Sequence, residues 1–196
     1  MKSLFASLAI FGGLLMAPLA SADSLIGTQV TLTGDLPTLG TAFTNSVTKT
    51  VDTTVEYPSG TLFSLGSGVF VIGVNIDVRA SSINFNYTQS AQALSATFNG
   101  YVFDFDPATT TITGASLDPS SNYTTSQLIV GFSAHQVTVN AEGVFFSAGT
   151  NALIDLSATV NPQTSATPEP ATYTMFLAGL GAVGICKRRL QHICRS

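Results

Sequence analysis

Asp104 and Asp106 stand two apart in the run Phe103-Asp104-Phe105-Asp106. On a strand that spacing puts both carboxylates on one face, roughly 6.6 Å apart. Two such oxygens, helped by carbonyls, are ligands for a hard cation such as Ca²⁺. The same separation falls near the range of paired glycosidase carboxylates. Solvated surface acids are the simpler reading, because any two exposed aspartates at this spacing share the geometry. His135 is the only histidine between Asp23 and Ala166, and it shares parity with Val137 and Val139. It reads as a histidine at the edge of the core. A serine nucleophile needs a defined turn and a base in reach, and no Gly-x-Ser-x-Gly elbow occurs. Gly66-Ser67-Gly68 reads as a turn. No Cys/His zinc spacing and no phosphate-cradling glycine loop ahead of a helix is present. Tyr101 and Tyr123 could stack on sugar rings. In a chain without tryptophan, they read first as core and turn tyrosines.

These residues must be held by strands. Phe70, Ile72, Val74, Ile76 and Val78 alternate with Asn75, Asp77 and Arg79, which predicts one strand over 69–79 with a buried and a wet face. Ile83, Phe85 and Tyr87 repeat the pattern after a break at Ala80-Ser81-Ser82. Leu94, Ala96 and Phe98 lead to Asn99-Gly100, a hairpin signal, and Tyr101, Phe103 and Phe105 return. Further strands are predicted over 26–33, 47–57, 111–117, 127–132, 136–140, 144–147 and 153–160. In 47–57 the β-branched threonines outweigh a helix-like spacing of Val47, Val51 and Val55. Turn signals recur about every 8–12 residues. The expected fold is all-β, an antiparallel β-sandwich, with a helix at each terminus.

Between Asp23 and Ala166 only Lys49 and Arg79 are basic, against ten acidic residues, so this region is more negative than the −4 of the whole chain. That balance excludes nucleic acid and anionic lipid as partners. Both cysteines, Cys186 and Cys194, lie near the C-terminus, which leaves the domain without disulfide or thiol chemistry.

The termini have the form of addresses. Lys2, the apolar run from Leu4 to Met16 and the small residues Ala20 and Ala22 predict a signal peptide over 1–22, cut by signal peptidase before Asp23. At the other end come Pro168-Glu169-Pro170, an apolar run from Thr172 to Cys186 and the basic stop Lys187-Arg188-Arg189. As a helix the run would be roughly 22 Å long, short against a hydrocarbon core of about 30 Å. The basic triplet predicts a cytoplasmic tail, 190–196. The expected order is signal peptide 1–22, β-sandwich 23–160, linker 161–168, sorting signal with transmembrane helix 168–189, then tail.

The segment from Thr167 to Arg189 resembles the PEP-CTERM sorting signal of exosortase-processed bacterial surface proteins. The resemblance implies signal peptidase and an exosortase as partners, transient inner-membrane anchoring and delivery to the cell surface or extracellular matrix. Phe98 to Phe105 also resembles a phrase found in PEP-CTERM proteins of unknown function. It brings no activity with it. The expected role is non-enzymatic, structural or adhesive, beside exopolysaccharide or biofilm, with no cofactor. A glycan- or Ca²⁺-binding module is the alternative, and a secreted hydrolase ranks third.

Overall fold

The structure is a computed structural model that describes residues 24–161 except Ser67. The chain divides into two compact units, Met1–Val160 and Asn161–Ser196, and the described residues belong to the first apart from Asn161. They hold eleven strands and no helix: β1 Gln29–Asp35, β2 Val47–Thr50, β3 Val74–Val78, β4 Ser82–Tyr87, β5 Ala91–Gln92, β6 Gly100–Phe105, β7 Thr110–Leu117, β8 Ile129–Phe132, β9 Gln136–Asn140, β10 Phe145–Phe146 and β11 Asn151–Val160. All pairings are antiparallel. A five-stranded sheet runs β2-β1-β6-β9-β8, a four-stranded sheet runs β3-β4-β11-β7, and β10-β5 forms a two-stranded ribbon.

The two larger sheets meet through their apolar faces. Phe85 of β4 packs at 5.6 Å from Tyr101 and edge-on at 5.9 Å from Phe103, both on β6. Val30, Leu32, Ile76, Ile83, Val137 and Ile154 fill the same core. The period of two drives this: in β3 every second residue, Val74, Ile76 and Val78, is buried. Rings extend the core past the sheets, where Tyr87 stacks on Phe146 at 4.0 Å and Tyr123 meets both edge-on.

Strand ends define two poles. At one pole, Leu25 N–H donates to Ala80 in the β3–β4 turn, Asp106 N–H donates to Gln29, and Leu156 N–H donates to Ser81. Val160, the last residue of β11, pairs with Thr110 there. At the other pole lie Gly100, Asn140, Tyr87 and the β5–β10 ribbon. Both ends of the described chain are therefore at the first pole.

Three expectations about strands need correction. The strand predicted over 69–79 begins only at Val74; Phe70 is 89% exposed, and Ile72 is partly buried rather than buried. The strand predicted over 47–57 ends at Thr50, because Val51 N–H turns to Thr28 and Asp52 N–H to the Glu56 carboxylate. Asn99-Gly100 is not a hairpin turn. Gly100 opens β6, facing Asn140 of β9, and a Cβ there would collide with the Val139 carbonyl. Glycine is required by close backbone approach, not by a turn.

Candidate functional site

The two aspartates proposed as cation ligands have different settings. Asp104 is exposed on β6, between Thr31 of β1 and Gln136 of β9, and its Oδ1 accepts from Gln136 Nε2 at 2.8 Å. Asp106 lies just past the strand. Its Oδ1 accepts from Ala108 N–H at 2.9 Å, while its carbonyl accepts from Thr109 and Thr110 N–H. Thus Asp106 caps the turn into β7. Among the described residues no group of three His, Cys, Asp or Glu side chains is placed to hold a metal ion.

His135 is half-buried at the start of β9, and its Nδ1 lies 2.8 Å from the Thr110 carbonyl. A carbonyl only accepts, so Nδ1 carries the proton, and the ring ties the β8–β9 turn to β7. Tyr101 and Tyr123 are both buried, and Tyr123 Oη is 2.5 Å from Thr150 Oγ1. Tyr123 is packed among other rings, and Tyr101 reaches the surface only as part of the lining of a cleft.

Two carboxylates that sequence spacing could not bring together do meet. Asp118 N–H donates to the Leu153 carbonyl, which sets its carboxylate against that of Asp155, two residues further along β11. The carboxyl of Asp155 is pushed above its usual value, first by burial, then by the negative charge of Asp118 and their shared hydrogen bond. Asp118 is held below its usual value, chiefly by hydrogen bonds from the Ser120 side chain and N–H. The environments therefore separate the two groups. A third carboxylate is structural: buried Glu56 accepts from Asp52 N–H at 2.8 Å and Val78 N–H at 2.7 Å. Beside it, Tyr57 Oη donates to the Val30 carbonyl at 2.7 Å. No signal in one sequence marks either arrangement, because both depend on long-range strand register.

A cleft of about 250 Å³ lies at the pole away from Val160. One wall is the irregular segment Gly68–Ile72; the other is β5 with its flanks, from Gln89 to Leu94. Tyr101 and Phe146 make the floor, and no charged side chain lines it. Phe70 and Leu94, 89% and 54% exposed, stand on opposite walls.

Ala20, Ala22, Pro168, Glu169, Pro170, Lys187, Arg188 and Arg189 lie outside the described residues, as do both predicted terminal helices. Comparison with family models decides the C-terminal segment: residues 166–189 match the PEP-CTERM protein-sorting motif. The chain carries a PEP-CTERM sorting signal. No curated protein and no solved structure matches it. The motif implies an exported protein sorted by an exosortase to the cell surface, and it covers Pro168-Glu169-Pro170 and the basic stop read in the sequence. The PEP-CTERM match ends at residue 189 and leaves the β-rich domain to be read from its own geometry.

Proposed function

We propose that this PEP-CTERM protein is a non-enzymatic structural or adhesive component of the cell surface or extracellular matrix, in contact with exopolysaccharide. Signal peptidase removes residues 1–22, the segment 172–186 anchors the protein briefly in the inner membrane, and exosortase processing then releases it. The observation that carries this reading is the sorting motif itself, joined to a domain in which three of the groups that could act as acid or base are engaged by the backbone. His135, Glu56 and Asp106 each serve a structural hydrogen bond.

Replacing Pro168, Glu169 and Pro170 by alanine tests the sorting half. The altered protein should accumulate in the membrane fraction, and unchanged release would overturn it. Incubating the purified protein with the polysaccharide of its own matrix tests the other half. Binding without new reducing ends supports the reading; release of reducing sugars makes it a hydrolase.

A second reading, a glycan-binding module, is favoured by the outer face of the four-stranded sheet. Asn75, Asn86 and Asn151 lie in register across β3, β4 and β11, with Asn84 beside them. The side chains of Asn84, Asn86 and Asn151 hydrogen-bond to no described residue. A flat row of amides offers paired donors and acceptors to sugar hydroxyls. Asn86→Ala should weaken polysaccharide binding under this reading and leave it unchanged under the first.

A further inference from the structure

Val69-Phe70-Val71-Ile72 combines β-branched and aromatic residues, the composition that favours strands, and it leads directly into β3. Yet from Gly68 to Ile72 no backbone N–H or C=O makes a hydrogen bond with any described residue. Lower down, the outer edge of β3 is covered: Ile76 bridges to Tyr57, and Val78 N–H is taken by Glu56. Above Val74 the main-chain pairing of that edge stops, although Ser59 stands beside Gly73 and the 58–62 loop lies beside the side chains of Val71 and Ile72. The segment is a strand by composition that lacks a partner within its own domain.

The opposite wall of the cleft is similarly incomplete. β5 pairs with β10 along one edge, where Ala93 N–H donates to the Val144 carbonyl. By alternation, the main-chain groups of Gln92 point away from β10. Two sets of unsatisfied backbone groups thus flank a neutral apolar slot. An extended polypeptide can satisfy such groups in series; a lipid or a sugar cannot do so along a strand.

We propose that Val69–Ile72 pairs antiparallel with the same segment of a second copy of this chain, each Phe70 entering the other's cleft. One surface carries both the projecting ring and the recess for it, which a two-fold interface requires. Copies with so few basic residues repel one another over most of their surface, and the cleft, with no charged lining, is where they can approach. The unpaired edge invites association, and pairing it with itself closes it. This contact does not depend on whether the domain is structural or reads glycans.

Sedimentation equilibrium of the exported protein, recovered from cells, tests the proposal alongside Phe70→Asp, Val71→Pro and the control Ile129→Asp. Val71→Pro deletes one N–H donor in a segment that makes no internal hydrogen bond, and the proline ring keeps most of the apolar contact of a side chain only partly packed on the core, so it should leave the fold intact. The wild type and Ile129→Asp should dimerise, while Phe70→Asp should raise the dimer dissociation constant at least about 30-fold. Val71→Pro should do likewise, with unchanged circular dichroism in both variants. A wild type that stays monomeric at every concentration overturns the proposal, as does a dimer insensitive to both changes. A monomer in which added oligosaccharide protects Phe70 from chemical-footprinting modification would assign the cleft to glycan instead.

Discussion

Phe103 and Asp104 are neighbours with opposite fates, and each supports a prediction at the scale of one side chain. Phe103 is fully buried against Phe85, so Phe103→Ala should cost about 3–5 kcal/mol in denaturant unfolding. Asp104→Asn, exposed and held only by Gln136, should cost under about 0.5 kcal/mol. A wild-type melting point raised by Ca²⁺, with Asp104→Asn unresponsive, would instead place a cation there. Asp118 and Asp155 support a prediction in pH. The raised Asp155 favours the folded state below its unfolded value near 3.9, and that advantage is lost as pH rises through the folded value. The lowered Asp118 behaves oppositely: its contribution is present above about 3.9 and lost as pH falls through the folded value. Asp155→Asn should therefore raise the melting point at pH 7 by removing a charge that burial, and then the Asp118 carboxylate, disfavours. The gain should disappear under acid, where both carboxyls are protonated, and a gain that persists there would mean that packing, not charge, explains it.

At the scale of elements, the buried Glu56 acts as a clasp between the 52–57 loop and β3. Glu56→Ala leaves two N–H groups without acceptors and should cost about 2–4 kcal/mol, measurable as faster exchange of the Val78 amide. Gly100→Ala should cost about 3 kcal/mol or more, since the Val139 carbonyl has nowhere to retreat without breaking the β6–β9 ladder. Gly100 also shows where sequence reading fails. Asn-Gly is the composition of a hairpin turn, and only the neighbouring strand, some forty residues away, explains the glycine. Alternation correctly picked out β9, the buried Val74, Ile76 and Val78, and Phe103 with Phe105. It overran at Phe70, because period two reports a residue's suitability for a strand and not whether a partner exists. The candidate site was less legible. The cleft walls, and the meeting of Asp118 with Asp155, come from segments that only the strand order brings together.

For the whole molecule, export makes a direct prediction: mass spectrometry of the released protein should find Asp23 as its first residue, and retention of Lys2 would contradict a cleaved signal peptide. The placement of the two poles has a mechanical consequence. The chain runs on toward its sorting signal from Val160 at the end of β11, an interior strand that pairs with β4 over residues 151–155 and with β7 over residues 154–160. The cleft is at the far pole. A load applied between a partner seated in the cleft and a tether on Val160 would pull along the strand axes. Antiparallel hydrogen bonds stand across those axes, so they would be sheared together instead of unzipping one after another. Drawing the domain out from Val160 against the pole that holds the cleft should need a markedly higher force than peeling it through residues on β8, the edge of the other sheet. Such a domain would suit a surface that is tugged by its surroundings.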